Sequence, residues 1–366
     1  MKIWRSLPLP KYLLVFAPAA LIMHFGHYAG PVTQFIVAAV AILGLVVVIG
    51  AATEEVAMRV GDVWGGLLNA TFGNVTELII ALLALKKGSY KVVRASLTGS
   101  ILGNLLLLLG LSMFAGGVRH KTQTFSRTGA AASVQMLALC LFALVIPTVA
   151  DKVFYGGVHG NVQHDRLVEH LSLAVAILLL VAYGLNLVFS LWTHSFTFRS
   201  TDAAHSEEPQ WSFKAAIIVL LGTVVVVALC SDVFVAALDD MIKVAKVPIS
   251  EMFLGVVVVA IVGNAAEGSV AVIAATKNKM ELAFQVAMSS ALQIALMVSP
   301  VLVIVSAIIS PNNPMTLAFS AFELLGLWAG VLISAFALND GESNWFEGAL
   351  MVIVYIAFAI VFWFHP

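Results

Sequence analysis

The stretch Gly73-Asn74-Val75-Thr76-Glu77 lies inside an apolar run, and it recurs as Gly263-Asn264-Ala265-Ala266-Glu267 in a second apolar run. The two glutamates are 190 positions apart. One predicted helix later each stretch is followed by a second polar interruption, and Ser100 and Ser290 in these interruptions are again 190 positions apart. A five-residue echo alone is modest evidence, but a register kept over two predicted helices indicates an internal repeat.

The composition around this repeat is typical of a membrane protein. Of the 366 residues, 61% are hydrophobic and 11% are charged, whereas soluble domains carry about 25% charged residues. No water-soluble fold of this length hides so much apolar surface, so a soluble enzyme is excluded. The net charge of −1 offers no basic excess that would indicate nucleic acid as a partner. We therefore expect an all-α polytopic membrane protein whose main partner is the lipid bilayer.

Eleven apolar runs are long enough to cross the hydrocarbon core as helices, which takes about 20 residues. Continuous runs such as 219–229 are unlike the short alternating segments of a membrane β-barrel. The predicted spans lie near 11–30, 34–52, 65–85, 95–117, 129–149, 168–192, 213–236, 251–275, 281–309, 315–338 and 345–364.

Apart from the first, the spans divide into two sets of five around a polar loop, spans two to six and spans seven to eleven. Because five is odd, two such repeats enter the membrane from opposite sides, and the substrate site of an inverted repeat lies near the bilayer midplane, where broken helices meet. We expect the two helices to be broken at Gly73 and Gly263, since glycine loosens a helix and frees carbonyl groups to ligate an ion. The predicted organisation is an N-terminal segment with the first helix (1–30), a first repeat (31–193), a linker (194–212) and a second repeat (213–366).

Two carboxylates within the membrane are expensive, at about 2.5–3.5 kcal/mol each on insertion scales. The helix segments near Glu77 and Glu267 offer no Lys or Arg to neutralise them. Two ways of neutralising the carboxylates remain. One is a bound divalent cation such as Ca²⁺, which takes six to eight oxygen ligands. The other is protonation, because burial beside a like charge favours the neutral acid. Cation and protons then compete for the same oxygens, which in an alternating-access protein is antiport. Neutralising both acids takes one dication or two protons.

Amide and hydroxyl side chains complete the predicted site. Asn74 and Glu77 are spaced i, i+3 and so share one helix face, and Asn264 and Glu267 repeat this spacing. The alternative for any single polar side chain is an ordinary hydrogen bond between membrane helices. The expected supporting shell is Ser100, Asn104, Ser290 and Gln293.

Further acidic residues follow the second and seventh spans. Glu54 and Asp232 are the best candidates there for a cation entrance, since acids at a vestibule raise the local cation concentration. The alternative is a charge cluster at a helix end. Glu323, in the tenth run, has no repeat partner, and the sequence leaves it either functional or satisfied by a neighbour.

At these residues the sequence resembles the cation/proton exchanger family of the calcium/cation antiporter superfamily, in particular bacterial Ca²⁺/H⁺ antiporters. The signatures are 65–79 and 263–267, and supporting stretches are 99–110, 292–296 and 340–345. The resemblance implies one peripheral helix and two inverted five-helix repeats, Ca²⁺ and protons alternating on Glu77 and Glu267, and sliding of the first two helices, near 11–62. It also implies homo-oligomers. We expect the bacterial inner membrane and no cofactor, Ca²⁺ being the transported substrate. The count of Lys and Arg, eleven on the side of the N-terminus and eight on the other, narrowly favours a cytoplasmic N-terminus.

The sequence departs from the family pattern in two places. The second signature usually continues with His, whereas this chain has Gly268, so a proton-relay or gating role of that His is in doubt. The central loop often carries a strongly acidic helix, but here it holds only Asp202, Glu207 and Glu208, so ion sensing there is in doubt.

Three other functions compete with Ca²⁺/H⁺ exchange. A Na⁺/Ca²⁺ exchanger on the same scaffold is expected to show extra polar ligands, and Val75, Ala265 and Ala266 beside the glutamates argue against it. A cation channel usually places rings of acids or carbonyls around a symmetric pore, whereas two related sites in one chain suit a carrier. A membrane enzyme finds no support, since HExxH and GxSxG patterns are absent from the sequence.

Overall fold

A computed structural model describes residues 9–155, 162–193, 209–245 and 248–364, and helices make up nearly all of this part of the chain. After a 3₁₀ turn at Leu9–Val15, the elements are α1 (Phe16–Gly26), α2 (Pro31–Val60), α3 (Asp62–Gly73), α4 (Val75–Lys86), α5 (Tyr90–His120), β1 (Thr122–Thr124), α6 (Arg127–Tyr155), α7 (Val162–Val188, continued by a π-helical turn at Phe189–Thr193), α8 (Phe213–Lys243), α9 (Glu251–Thr276), α10 (Met280–Ile309), α11 (Ala321–Ala337), β2 (Glu342–Asn344) and α12 (Trp345–Phe364).

The apolar helices confirm a polytopic membrane protein. Among the described residues, seven helices are long and apolar enough to cross a membrane, and two bent pairs, α3 with α4 and the two halves of α9, bring the number to nine if each pair is one span. The segment Lys11–Gly26 and α11 are shorter apolar helices.

The tenth predicted span, 315–338, is wrong at its start, because α11 begins only at Ala321. The preceding residues are extended, and side chains from other helices satisfy their backbone. The Ser172 hydroxyl accepts from Leu317 N (3.0 Å), and the Thr148 hydroxyl accepts from Phe319 N (2.9 Å). Such partners are invisible in a hydropathy pattern. Most other helices extend a few residues beyond the apolar runs, since polar helix ends reach past the hydrocarbon core.

A two-stranded ladder, which the all-α prediction did not include, marks one end of the bundle. β1 and β2 pair antiparallel, with Thr122 opposite Asn344 and Thr124 opposite Glu342. We call this end the ladder face, defined by Thr122–Thr124 and Glu342–Asn344, and the other end the opposite face. Because β1 follows α5 and β2 precedes α12, helix α5 ends at the ladder face and α12 begins there.

Contacts at the helix ends fix the direction of the remaining helices. At the ladder face, the end of α2 meets the start of α8, since Glu55 accepts hydrogen bonds from Gln210 N (2.9 Å) and Trp211 N (3.0 Å). At the opposite face, Ser89 donates to Asp239 near the end of α8 (3.3 Å). Glu55 therefore anchors the end of the predicted linker, whose residues 194–208, with Asp202, Glu207 and Glu208, lie outside the described residues.

Two close packings dominate the interior. The long helices α2 and α8 lie along each other, and the rings of Phe35 and Phe234 stack between them with centroids 4.5 Å apart. Helix α5 is the most deeply buried long helix and packs tightly on the first half of α9. Gly99 permits this approach, because a methyl group there would overlap the Val256 carbonyl.

Candidate cation site between two broken helices

Both signature stretches lie where a helix bends. The axes of α3 and α4 differ by 42° across Asn74, and the halves Glu251–Ala265 and Glu267–Thr276 of α9 differ by 66°. Glu77 is in the first turn of α4, and Glu267 begins the second half of α9. At such breaks the last carbonyls of one half lose their helical partners, and the first amides of the next half face a nearby anion.

Each glutamate reaches across to the glycine of the opposite signature. A methyl group built on Gly263 would lie 2.9 Å from Glu77 Oε1, and one on Gly73 would lie 3.3 Å from Glu267 Oε1. Since Gly263 is one helical turn before Glu267, and Gly73 one turn before Glu77, both carboxylates occupy the gap between the two breaks. The two carboxylates are close enough to influence each other electrostatically.

Three of the four carboxylate oxygens in this gap have no hydrogen-bond partner among the described residues. Within the described part of the chain, both oxygens of Glu77 and Oε2 of Glu267 are buried without a hydrogen-bond partner. Glu77 also lines a narrow cavity with Ser96, Ser100 and Gly263, where the space open to the centre of a water-sized sphere is about 10 Å³. A space of this size holds about one water molecule, so it admits one ion and no larger substrate.

A chain of hydrogen bonds links the two breaks. Asn74 Nδ2 donates to Gln293 Oε1 (2.5 Å), and the Ser290 hydroxyl donates to Asn74 Oδ1 (3.1 Å). Asn104 Nδ2 donates to both Ser290 Oγ (2.9 Å) and Asn264 Oδ1 (3.2 Å). Ser290 also lies within hydrogen-bonding reach of the Glu267 carboxylate. The chain orients both asparagine oxygens, each of which keeps a second lone pair for a cation.

The structure brings together the ten residues predicted for the site and its shell, and it adds one. Ser96 shares the cavity with Glu77 and lies one turn before Ser100 on α5. The i, i+4 spacing of the two serines was the available signal. Ser100 and Ser290 differ in role, however, because Ser100 lines the cavity whereas Ser290 is the centre of the hydrogen-bond chain.

The other acidic residues singled out in the sequence lie elsewhere. Glu54 and Asp232 are exposed side chains on α2 and α8, outside the cavity next to Glu77. Glu323 is buried at the start of α11, where it forms a capping box with Ser320 and interacts with Arg94. These contacts are those of the second alternative, a carboxylate with neighbouring partners.

The position usually occupied by His is open. Gly268, together with Asn264, lines an apolar groove of about 430 Å³ between α5 and α9. A proton relay through an imidazole at this position has no counterpart in this chain.

Comparisons with known proteins confirm the resemblance found in the sequence. A Ca²⁺/H⁺ antiporter of Aphanothece halophytica is 40% identical over 371 residues, which cover 97% of this chain and 96% of the relative. The Ca²⁺/H⁺ antiporter ChaA of Bacillus subtilis is 42% identical over 356 residues, with 96% and 98% covered. The solved structure of native YfkE matches with a TM-score of 0.79 at 38% identity, over 96% of this chain and 98% of that one.

One family model matches nearly all of both predicted repeats. The model described as sodium/calcium exchanger protein matches residues 31–192 and 215–364. The two matched segments contain both broken helices and leave out the whole of the predicted linker. The chain therefore belongs to the sodium/calcium exchanger protein family.

Proposed function

We propose that this protein exchanges Ca²⁺ for protons across a membrane, with Glu77 and Glu267 binding either the cation or protons. The observation that carries the proposal is the crossed arrangement of the two glutamates, three of whose four carboxylate oxygens are buried without hydrogen-bond partners among the described residues. Unsatisfied carboxylate oxygens in low dielectric need a cation or a proton. Relatives named Ca²⁺/H⁺ antiporters, similar over almost the whole chain, support the same assignment.

Ca²⁺ suits the ligands that converge on the gap. Two carboxylates supply up to four oxygens, and Asn74 Oδ1, Asn264 Oδ1 and carbonyls freed at the breaks supply the rest of the six to eight that Ca²⁺ takes. A transported cation has to be released as well as bound. Weakly binding neutral ligands around the two carboxylates suit this requirement. Two protons neutralise the same carboxylates, and the minimum exchange is therefore two protons for each Ca²⁺.

Alternating access in this scheme rests on two inverted repeats, 31–193 and 213–366, joined by the linker 194–212. The supporting observation is that corresponding helices run in opposite directions between the two faces, α2 against α8 and α5 against α10. The 190-residue register also recurs in the backbone, because Gly88 and Asn278 follow α4 and α9 with φ of 73° and 61°. Eleven spans fit the seven long helices, two broken ones and two shorter apolar helices among the described residues.

The proposed location is the bacterial inner membrane with a cytoplasmic N-terminus and ladder face. Lys and Arg number eleven on the side of the N-terminus and eight on the other, which favours this orientation by a small margin. Homo-oligomers are part of the same proposal, on the strength of the family resemblance.

A Na⁺/Ca²⁺ exchanger is the alternative on the same scaffold. Among the described residues, the direct neighbours of the glutamates along the chain are Thr76, Leu78 and Gly268, and they add one hydroxyl oxygen, that of Thr76. Thr76 is buried, and its hydroxyl has no partner within the described part of the chain. One hydroxyl is a poor basis for separate sodium sites, so protons remain the favoured counter-ion.

Calcium uptake into everted membrane vesicles separates these functions. A proton gradient and a sodium gradient are imposed in turn on vesicles that contain the protein or its Glu77→Gln variant. We expect uptake with the proton gradient alone, and none with the variant. Uptake driven only by sodium would overturn the proton assignment, and flux that ignores both gradients would favour a channel.

A further inference from the structure

The loop between α9 and α10 is fastened by the segment that follows α5. Gln123 in β1 is 2% exposed, and its Nε2 donates to Ala275 O (2.9 Å) and to Asn278 Oδ1 (3.0 Å). His120 Nε2 lies 3.0 Å from Thr276 O. Because both partners of Gln123 are acceptors, its amide nitrogen has to face them. We call these Gln123 contacts the amide clamp.

The clamp acts on the half-helix that carries Glu267. Ala275 lies eight residues after Glu267, about 12 Å along the same half of α9. This half is set at 66° to the first half, although the α-helix Ala260–Thr276 runs on through the bend. The clamp therefore ties the far end to β1 and, through the buried packing of Gly116, to α5.

The absence of a side chain at Gly116 makes the Gln123 contact possible. A methyl group on Gly116 would overlap Gln123 Oε1 and would lie 3.0 Å from Ala275 O. Gly116 therefore leaves room for the Gln123 side chain between α5 and the end of α9. Helix α5 also carries Ser100 and Asn104, so the clamp sets the position of Glu267 relative to its neighbours in the site.

The first half of the chain lacks the clamp. The position 190 residues after Gln123 is Asn313, which is exposed and whose side chain makes no hydrogen bond within the described part of the chain. The backbone hydrogen bonds at the ends of α4 and α9 are otherwise alike. Ser89 N donates to Ala84 O, and Lys279 N donates to Ala274 O, both at 3.0 Å. Among the described residues, the end of the Glu267 half-helix is thus fastened by the buried Gln123, whereas the end of α4 is followed by the half-buried Ser89, which donates to Asp239.

We propose that Gln123 is a positioning residue for Ca²⁺ binding, which holds the half-helix of Glu267 at a fixed distance from α5. This inference rests on the proposed function and assigns to the Glu267 half the role of a fixed partner in the site. Loss of the clamp lets Glu267 drift from Asn104 and Ser290. The site then binds Ca²⁺ less tightly, although both glutamates remain.

Calcium uptake and thermal stability are measured for Gln123→Ala and Gly116→Ala, with Asn313→Ala as the matched control. We expect the first two to raise the KM for Ca²⁺ by about three- to tenfold, the effect of one or two lost hydrogen bonds, and the control to leave it unchanged. Gln123→Asn keeps the amide but is one methylene shorter, and it should fall between Gln123→Ala and the unaltered protein. It also replaces Gln123→Ala in the comparison if that variant does not insert.

A merely structural role lowers the amount of folded protein and the maximum rate but leaves KM and its pH dependence unchanged, and that result overturns the inference. Glu267→Gln is measured in parallel to separate the two proposals. If Glu267→Gln still transports Ca²⁺, the proposed function fails whatever the Gln123 variants do. If it is inactive while the clamp variants keep their original KM, only the inference about Gln123 fails.

Discussion

The carboxylate of Glu77 packs against Gly263, whose missing side chain leaves a space that the Glu77 side chain fills. Glu77 Oε1, Cγ and Cδ lie 2.9–3.1 Å from the position that a methyl group on Gly263 would take. The reciprocal contact of Glu267 with Gly73 is looser, at 3.3 Å from a single oxygen. The two halves therefore hold their glutamates in related but unequal pockets.

Replacing these glycines should have unequal effects. Gly263→Ala forces the Glu77 side chain to move, and small displacements of a reacting group cost up to about 100-fold in rate. We expect Gly263→Ala to reduce Ca²⁺ uptake per folded molecule at least about tenfold and Gly73→Ala by less than about threefold. Each variant is the control of the other, and equal losses in the vesicle assay would contradict the asymmetry.

Glu77→Gln and Glu267→Gln should each abolish transport without preventing insertion. The amide has the same size but binds Ca²⁺ poorly and cannot exchange a proton, and it is cheaper than a carboxylate in lipid. Radioactive Ca²⁺ uptake, normalised to the inserted protein, measures the loss. Transport retained by either variant would rule out that glutamate as essential.

The fold was largely predictable because hydropathy reports directly on the bilayer. The run 345–364 coincides with α12, whereas 315–320 is extended because Thr148 and Ser172, far away in sequence, satisfy its backbone. The β1–β2 ladder escaped prediction for a similar reason. Three polar residues in a loop give no strand signal until a partner strand, more than 200 residues away, lies beside them.

The central pair of the site was predictable because the repeat marks it twice. Glu77 and Glu267 stand out as costly charges in corresponding places, and their neighbours follow from helical spacing. The sequence could not separate Ser290 from Ser100, nor give a role to Gln123, because these depend on tertiary contacts with Asn74, Asn104 and the end of α9.

The apparent affinity for Ca²⁺ should rise with pH. If Ca²⁺ displaces two protons, then wherever both carboxyls are protonated the KM falls about 100-fold per pH unit, and it falls about tenfold if one proton is displaced. The sign follows because fewer protons compete for the oxygens at higher pH. Initial rates at several pH values give the slope. Proteoliposome fluxes of one proton per Ca²⁺ would refute the two-proton minimum.

Ser290→Ala should impair Ca²⁺ binding more than Ser100→Ala. The Ser290 hydroxyl donates to Asn74 and accepts from Asn104, so its removal leaves two buried amides without their partner. A lost buried hydrogen bond is worth about 1 kcal/mol, or roughly fivefold in affinity. We expect at least this rise in KM for Ser290→Ala and a smaller one for Ser100→Ala. The reverse order would contradict the central position of Ser290 in the chain.

Glu54→Gln and Asp232→Asn should weaken the capture of Ca²⁺ if these exposed acids on α2 and α8 flank the cation entrance. Vestibule charges raise the local cation concentration and are screened by salt, with a Debye length of about 10 Å at 0.1 M. We therefore expect a two- to fivefold rise in KM at low ionic strength, on the order of a single unscreened charge, and little change in high salt. The maximum rate should stay the same, because neither residue lines the cavity beside Glu77. Variants whose KM matches the original protein at low ionic strength would leave the two acids as ordinary charges on the helix surface.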